Sequence, residues 1–323
     1  MVAIGASAGG IDALQRLLRS LPEGLPAAVC IVLHIPASGP SLLAQIIARH
    51  TDLPVSQAVA GERLRDGHVY VAPPDWHLLV RAGHVHLDRG PKENGVRPAI
   101  DPLFRSLADV YGERGIAVVL SGSLGDGAAG AAAVAAAGGV VLVQRPDDAT
   151  VSSMPEAALG AVPEAAAYGA ADLAQEIVRR CARFADVNPE DPPAPPHAGR
   201  SGSEHEPASG PPSGFTCPEC HGPLWERRSG SVVRYRCRVG HAFSEESLLD
   251  GKGSAIEAAL WMALEALEER NELLNKLADR LAAAGRENSA ASMRRRAGGA
   301  AQRAELIRGV LTIDEASAEG VTT

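Results

Sequence analysis

The sequence predicts an α/β fold with a doubly wound, mostly parallel sheet, followed by a small cysteine-containing module and a C-terminal helical hairpin or coiled coil. Three observations support this prediction. Over residues 1–185, short apolar runs alternate with segments of helical periodicity. Three cysteines and one histidine lie close together in sequence within residues 215–250. Over residues 251–320, leucine and alanine recur at helical spacing. At 323 residues, the chain is long enough for two or three domains.

Composition argues against several classes of protein. The formal charge of −8, from 31 Lys and Arg against 39 Asp and Glu, disfavours nucleic acid as the main partner, because DNA-binding domains usually carry a basic excess. No apolar run approaches the roughly 20 residues that span a bilayer, and the N-terminus lacks the basic and apolar regions of a signal peptide. The five cysteines are odd in number and unevenly spaced, unlike a secreted disulfide framework. We therefore expect a cytoplasmic protein without membrane insertion.

Short strands and helices alternate along residues 1–185. Continuous apolar strands are typical of a parallel sheet that is covered on both faces. In such a sheet, ligands bind beyond the carboxyl ends of the strands, so the residues that follow each strand are the candidates for function. The predicted strands are Val2–Gly5, Ala28–His34, Val69–Ala72, Leu78–Arg81, Val85–Asp88, Ile116–Leu120 and Val140–Val143, and the predicted helices are Ile11–Leu21, Leu42–His50, Pro102–Tyr111 and Ala128–Ala137.

Three polar residues lie at the ends of three of these strands. Ser7 lies in the Gly-rich turn after the first strand, His34 ends the second strand, and Asp126 follows the strand at 116–120. These are the residue types of a nucleophile, a general base and a carboxylate that orients the base. The turn around Ser7 leads into a helix, so its free backbone N–H groups can stabilise an oxyanion. The sequence therefore predicts a site in which these three residues meet.

The same turn permits a second interpretation. Gly5, Ser7 and Gly10 come within one residue of the dinucleotide-binding fingerprint, so the turn on its own favours nucleotide binding as much as hydrolysis. That fingerprint requires an acidic residue at the end of the second strand, where this chain has His34. The lysine of a phosphate-binding loop is also missing. The hydrolytic interpretation is therefore preferred.

Five motifs within residues 1–182, in unchanged order, resemble the chemotaxis protein-glutamate methylesterases of the CheB type. They are VAIGASAGG at 2–10, VLHIP at 32–36, RPAID at 97–101, LSGSLGDGAAG at 120–130 and MPEAA at 154–158. The resemblance implies a Rossmann-like fold and hydrolysis of γ-glutamyl methyl esters on methylated chemoreceptors, with glutamine deamidation as a further activity in signal transduction. It implies that Ser7 is the nucleophile, His34 the base and Asp126 the orienting acid, with no cofactor for catalysis.

Three departures from the family pattern bear on function. Ala8 stands where the family commonly has threonine, and Ser123 stands where it has a methionine that lines the site. The sequence also begins at the first strand of the catalytic domain, so we expect no fused receiver domain to regulate it. Two alternatives to a methylesterase stay open: a non-catalytic scaffold that binds receptor or signalling helices, and a related esterase or amidase with another substrate.

A Pro-rich stretch and a cysteine module follow the predicted catalytic domain. Residues 186–214 carry eight prolines among 29 positions, which predicts a disordered linker. Residues 215–250 contain the spacing C-x2-C-x16-C-x3-H, which predicts a zinc ribbon whose strands, 224–228 and 232–236, pair across a turn. A closed site with four protein ligands favours structural over catalytic Zn²⁺, and we expect the module to contact a partner protein. The predicted ligands are Cys217, Cys220, Cys237 and His241.

The C-terminal segment, 251–320, repeats apolar residues with the alternating four- and three-residue spacing of a coiled-coil seam. Gly285 separates two such repeats, and Asn271 lies on the seam, where it could fix the register. Packing within one chain, a homodimer and a signalling partner are all compatible with this pattern. The seam positions are Leu260, Leu264, Leu267, Asn271, Leu274, Ala278 and Leu281, followed by Met293, Ala297, Ala300, Ala304, Ile307 and Leu311.

Several residues outside these motifs receive structural interpretations. We expect Cys30 and Cys181 to be buried free thiols. We expect Arg97 and Asp101 to provide a helix cap and an ion pair. Other histidines before the linker are expected at the surface; they are His50, His68, His77, His84 and His86.

Overall fold

The computed structural model of the chain describes residues 1–39, 41–185, 210–230 and 232–319. Positions 186–209 of the predicted linker lie outside the described residues. The chain divides into two compact units, Met1–Leu248 and Leu249–Thr323. The first unit contains a parallel sheet and the cysteine module, and the second contains most of a helix pair. None of the helices in the described ranges is long and apolar enough to cross a bilayer.

The first unit is built on a seven-stranded sheet with parallel neighbours throughout. The strands of residues 1–185 are β1 (Val2–Ala6), β2 (Val29–Leu33), β3 (Val55–Gln57), β4 (Val69–Val71), β5 (His77–Arg81), β6 (His84–Asp88), β7 (Ile116–Val119), β8 (Val140–Gln144) and β9 (Ala166–Tyr168). The order in the sheet is β3-β4-β2-β1-β7-β8-β9, so the chain fills one side of β1 with β2, β3 and β4 and then the other side with β7, β8 and β9. This order confirms the predicted doubly wound fold.

Helices cover both faces of the sheet. They are α1 (Gly10–Leu18), α2 (Leu43–Ala48), α3 (Ile100–Tyr111), α4 (Ala128–Ala136), α5 (Ser153–Ala161) and α6 (Ala170–Ala185). Apolar side chains of α1, α2 and α6 pack on one face of the sheet, and those of α3, α4 and α5 pack on the other. Because strand residues alternate between the two faces, each strand contributes to both cores.

Two features of this region go beyond the predicted pattern. The strands β5 and β6 pair with each other as an antiparallel hairpin outside the main sheet. The strands β3 and β9 are three residues long and only partly buried, so they lack the apolar run by which the equally short β4 was predicted. Helix α6 does carry a helical signal, since Leu173, Ile177 and Cys181 recur every four residues and are buried.

The predictions for thiols and histidines have different outcomes. Cys30 and Cys181 are buried and free, as predicted. The surface prediction is wrong for His77, which is 3% exposed because its ring bonds on both sides: Nε2 lies 3.0 Å from Pro91 O, and Nδ1 accepts the N–H of Ala99 at 3.2 Å. It is also wrong for His68, which is buried, with its ring centroid 4.5 Å from that of Tyr70, and which bonds a serine hydroxyl.

The cysteine module is a four-stranded sheet with antiparallel pairing. Its strands are β10 (Pro212–Thr216), β11 (Pro223–Ser229), β12 (Val232–Cys237) and β13 (Ala242–Phe243). The predicted pairing of 224–228 with 232–236 is confirmed, with Trp225 opposite Arg236. β10 begins at Pro212, so the last positions of the predicted linker belong to this sheet.

A pair of long helices forms the rest of the described chain: α7 (Glu245–Ala283) and α8 (Glu287–Glu319). Gly285 has a φ of 72° in the turn between them. Asn271 is partly exposed, and its Oδ1 accepts a hydrogen bond from Asn275 Nδ2 at 3.1 Å. The predicted seam is confirmed at the end distant from Gly285, where Leu264, Ala304 and Leu311 form a buried cluster that Leu260, Leu267 and Ile307 flank.

Replacing Gly298 with alanine is expected to stabilise the helix pair by about 1 kcal/mol, because alanine is the better helix former. Gly298 is exposed within α8, and an added Cβ atom meets no other atom within 4 Å. Hydrogen exchange of α8 amides in the full chain measures the change. Gly285→Ala is the matched control and is expected to destabilise, because Gly285 has a positive φ. If both variants stabilised or both destabilised the helix pair, the placement of Gly298 inside α8 and of Gly285 in the turn would be contradicted.

Candidate active site and metal centre

Ser7, His34 and Asp126, called the candidate triad below, lie at the carboxyl edge of the parallel sheet. Ser7 directly follows β1, His34 directly follows β2, and Asp126 lies in the loop between β7 and α4. Since β1 pairs with both β2 and β7, the sheet brings three positions that are distant in sequence to neighbouring strand ends.

Hydrogen bonds join the candidate triad in series. His34 Nδ1 lies 3.1 Å from Ser7 Oγ, and His34 Nε2 lies 2.7 Å from Asp126 Oδ2. An ionised carboxylate can only accept, so Nε2–H donates to Asp126 and Nδ1 is left to accept the Ser7 hydroxyl proton. The side chain of Asp126 is 1% exposed and that of His34 is 15% exposed. The series therefore runs from a buried carboxylate to a more accessible hydroxyl.

Asp126 is surrounded by hydrogen-bond donors. Burial alone would raise its pKa, but these donors outweigh the cost of burial and hold the pKa of Asp126 below its ordinary value. The carboxylate is therefore ionised and fixed in one orientation. Besides His34, the donors are Asn94 Nδ2 (2.9 Å) and the backbone N–H groups of Ile100 (2.6 Å), Asp101 (3.2 Å) and Gly127 (3.0 Å).

Two glycines allow the first turn of α3 to approach Asp126. A Cβ atom on Gly5 would lie 2.4 Å from Ile100 Cγ2, and a Cβ atom on Gly127 would lie 2.9 Å from the same atom. Without side chains at these positions, Ile100 packs against the edge of the sheet and its N–H reaches the carboxylate. The positive end of α3 thus faces Asp126.

The turn that carries Ser7 is held in place by Ser121. Ser121 O accepts the N–H of Ser7 at 2.9 Å, and Ser121 Oγ donates to Ala8 O at 2.7 Å. Gly9 has a φ of 72° and directly precedes α1. Because Ala8 O is directed at Ser121, the trans peptide directs the Gly9 N–H to the opposite side. The turn therefore holds an oriented amide donor two residues from the serine.

Met154 lies near Ser7, and the sequence pattern did not predict this proximity. Both residues border Gly122, where an added Cβ atom would lie 2.2 Å from Met154 Sδ and 2.8 Å from Ser7 Cβ. Met154 is 1% exposed. Ser123, the position where the resemblance placed a methionine lining the site, is exposed instead.

Asn94 is the main site residue that sequence reasoning missed. Its amide nitrogen donates to Asp126 Oδ1 at 2.9 Å and to Asp101 Oδ2 at 3.2 Å, and the residue is 7% exposed. Asn94 has a φ of 53°, which suits the Asn-Gly pair that it forms with Gly95. That pair signals a turn in the sequence, but nothing in the sequence indicates where the side chain of Asn94 points.

A buried group of ion pairs lies beside Asp126. Glu93 pairs with Arg105 at 2.5 Å and with Arg234 of β12 at 2.6 Å, and Arg234 lies 3.4 Å from Asp101. Burial would raise the pKa of Glu93, but the two guanidinium groups hold it well below its usual range. Burial, opposed by Arg234 and reinforced by Asp126, raises the pKa of Asp101.

The outcomes for Arg97 and Asp101 differ in part from the prediction. Arg97 does form an ion pair, with Asp75 at 2.6 Å. The cap prediction is wrong, because the residue that precedes the first turn of α3 is Ala99. Asp101 lies inside that turn, and its Oδ1 accepts the N–H of Gly130 at 2.6 Å, which ties α3 to α4.

Replacing Glu93 with glutamine is expected to lower the free energy of unfolding by about 3–5 kcal/mol, because it leaves two buried guanidinium groups without their shared carboxylate. Urea unfolding of the full chain at neutral pH measures the loss. The matched control is Asp12→Asn, which breaks the exposed pair with Arg16 and is expected to cost under about 1 kcal/mol. A Glu93→Gln variant as stable as this control would contradict the energetic role assigned to the cluster.

The four predicted metal ligands converge in the cysteine module. His241 Nδ1 lies 3.7 Å from Cys217 Sγ and 3.5 Å from Cys237 Sγ, and Cys220 Sγ lies 3.6 Å from Cys237 Sγ. All four ligand atoms lie within 4.8 Å of one another. Tetrahedral zinc, with bonds of about 2.3 Å to sulfur and about 2.1 Å to nitrogen, needs ligand atoms roughly 3.6–3.8 Å apart. The cluster therefore fits a tetrahedral metal ion.

A parallel α/β sheet that holds a serine, a histidine and an aspartate in hydrogen-bonded series at its carboxyl edge has the arrangement found in serine hydrolases. The profile of one such family, CheB methylesterase, matches residues 2–177. This match covers more than half of the chain, and the chain belongs to the CheB methylesterase family.

Known relatives agree with this assignment. The chain is 41% identical over 163 residues to protein-glutamate methylesterase/protein-glutamine glutaminase 2 of Methanosarcina acetivorans, covering 48% of this chain and 46% of the relative. It is 36% identical over 185 residues to the corresponding protein 1 of Rhodospirillum rubrum, covering 55% and 48%. The crystal structure of the Thermotoga maritima CheB methylesterase catalytic domain is similar, with a TM-score of 0.52 and 32% identity over 55% of this chain and 96% of that one. The chain spans about half the length of the curated relatives that it matches.

Proposed function

We propose that this protein is a protein-glutamate methylesterase that hydrolyses γ-glutamyl methyl esters of methylated chemoreceptors. The observation that supports the proposal most strongly is the series Ser7–His34–Asp126, with hydrogen bonds of 3.1 and 2.7 Å, at the carboxyl edge of the sheet. Membership of the CheB methylesterase family and the names of the relatives supply the substrate class.

In the first half of the proposed reaction, Ser7 Oγ attacks the carbonyl carbon of the ester. His34 Nδ1 accepts the hydroxyl proton as the new C–O bond forms, and Asp126 stabilises the resulting imidazolium through Nε2–H. The backbone amides of the turn at Ala8 and Gly9 are the assigned donors to the oxyanion, with support from the N-terminus of α1. Collapse of the intermediate breaks the bond to the methoxy group, which leaves as methanol with the proton from His34.

In the second half, water replaces methanol. His34 Nδ1 accepts a proton from the water as its oxygen attacks the acyl group on Ser7, and returns that proton to Ser7 Oγ as the ester breaks. The product is the glutamic acid side chain, which releases the remaining water proton to solvent and becomes a carboxylate. The same acyl transfer on a glutamine side chain releases ammonia, which corresponds to the second activity in the relatives' names.

The metal proposed for Cys217, Cys220, Cys237 and His241 is a structural zinc ion. Three thiolates and an imidazole would complete its tetrahedral coordination and leave no position for substrate. The ion would stabilise a module whose buried cluster contains few large side chains besides Tyr235 and Phe243. The proposed partners are the methylated receptor and, through the cysteine module or the helix pair, a signalling protein.

The experiment that tests the proposed function measures methanol release from a methylated receptor fragment by the full chain. A panel of short-chain esters and amides, offered at equal concentration, separates the alternatives. Methanol release with a preference for the receptor fragment supports the methylesterase. Turnover of other esters without receptor turnover indicates an esterase of different specificity, and no turnover of any substrate indicates a binding scaffold.

A further inference from the structure

Asn94 connects the cysteine module to the candidate triad. Besides its bonds to Asp126 and Asp101, its Oδ1 accepts the backbone N–H of Ser244 at 2.8 Å. Its own backbone N–H donates to Ala242 O at 2.7 Å. One buried side chain is thus held by the carboxylates of the sheet edge on one side and by residues 242–244 on the other.

The segment that holds Asn94 directly follows a metal ligand. His241 precedes Ala242, and the backbone N–H of Ala242 lies 3.4 Å from Lys92 O, so residues 92–94 run beside residues 242–244. The position of the Ser244 N–H therefore depends on where His241 is held. An ion at the cluster would fix His241 against Cys237 of its own turn and against Cys217 and Cys220 of the other turn.

Residues 91–94 also contact both turns that carry metal ligands. Lys92 Nζ lies 3.1 Å from Glu219, which lies between the first two cysteines. A Cβ atom on Gly240, which precedes His241, would lie 2.9 Å from Pro91 Cγ. Glu93 is also paired with Arg234 of the cysteine module. The position of residues 91–94 therefore depends on the position of the module.

We propose that the cysteine module is a positioning element of the active site, which holds Asn94 and thereby Asp126, so that metal occupancy at the cluster sets the turnover rate. This inference rests on the proposed function. The pathway joins five adjoining groups in order: metal, His241, residues 242–244, Asn94 and Asp126. When residues 242–244 are released, Asn94 loses two partners, and Asp126 loses a fixed donor beside the second carboxylate, Asp101.

Two variants of Asn94 isolate the contact. Asn94→Gly keeps the positive φ and removes all three side-chain bonds, whereas Asn94→Asp keeps the acceptor for Ser244 and loses the donor to Asp126 and Asp101. Both are expected to lower kcat for methanol release by about 10- to 100-fold with little change in KM, because Asn94 is buried and acts on Asp126 rather than on substrate. A residue that only shaped the turn would leave kcat intact in Asn94→Gly.

Removal of the metal tests whether the module acts through Asn94. Chelation of the wild-type full chain is expected to lower kcat by a factor similar to that of Asn94→Gly. Chelation of the Asn94→Gly variant is expected to add less than about threefold, because the two changes interrupt one pathway. The proposal would be overturned if chelation lowered kcat of Asn94→Gly by as large a factor as it lowers kcat of the wild type. It would also be overturned if chelation left the wild-type kcat unchanged.

A readout other than activity separates this inference from the proposed function. In the ¹⁵N-histidine NMR spectrum of the full chain, the Nε2–H of His34 bonded to Asp126 is identified by its loss in His34→Gln. This signal is expected to shift or broaden both in Asn94→Gly and on chelation. A signal unmoved by either change would overturn the positioning role, whereas a shift in a chain that releases no methanol would contradict the methylesterase alone.

Discussion

Replacement of Ser7 with alanine is expected to reduce methanol release by at least about 10⁴-fold, to a level set by the remaining backbone donors and substrate binding. The loss is large because the Ser7 hydroxyl is the only group within 3.1 Å of His34 Nδ1 that the described contacts place in position to form an acyl intermediate. Ser7→Ala is expected to bind the methylated receptor fragment with unchanged affinity. Initial rates of methanol release and a separate binding titration give the two values.

A second serine serves as the control for Ser7→Ala. Ser20 is exposed beyond the end of α1, and Ser20→Ala is expected to keep the wild-type rate. Folding of both variants is compared by their urea midpoints. Methanol release that persists in folded Ser7→Ala would refute the proposed chemistry, even if the family assignment stands.

Removal of the metal is expected to unfold the cysteine module while the parallel sheet stays folded. Structural zinc in small modules supplies about 10–16 kcal/mol of apparent folding free energy at pH 7, and the buried cluster of this module is small. The parallel sheet has two large cores of its own. Hydrogen exchange followed by mass spectrometry is expected to show loss of protection over β11 and β12 and unchanged protection over β1 and β7.

The zinc content of matched cysteine variants tests whether the four residues hold the metal. The purified full chain is expected to hold about one equivalent of zinc, Cys220→Ser is expected to lose it, and Cys181→Ala, at a buried cysteine outside the cluster, is expected to keep it. Less than about half an equivalent in the wild-type chain, or equal content in all three proteins, would contradict a zinc centre at these four residues.

The parallel sheet could be predicted because its strands are buried on both faces and therefore appear in the sequence as unbroken apolar runs. The runs at Val29–Leu33 and Ile116–Val119 are examples. In the hairpin, β5 contains an apolar run at its centre, whereas β6 alternates polar and apolar residues. The prediction located both strands but not their pairing with each other outside the main sheet. The strand Val55–Gln57 is three residues long and has one apolar residue, so it leaves no signal, whereas the equally short Val69–Val71 is buried and could be predicted as an apolar run.

The candidate site likewise contains residues that the sequence predicts and residues that it does not. Ser7, His34 and Asp126 were predicted to meet because parallel strands place their carboxyl ends at one edge, a rule that needs only the strand positions. Asn94 and Arg234 could not be predicted, because their contacts depend on how the cysteine module packs against residues 91–101. Sequence spacing fixes a metal site within one module, but it carries no information on where that module docks.

The central claim, that Ser7 is a nucleophile activated by His34, is tested most directly with a fluorophosphonate ester, which phosphonylates an activated serine and releases fluoride. Peptide mass spectrometry of the full chain is expected to find one adduct per chain, on Ser7, and none in folded His34→Gln. An adduct on another residue, or labelling of Ser7 at the same rate without His34, would contradict the claim.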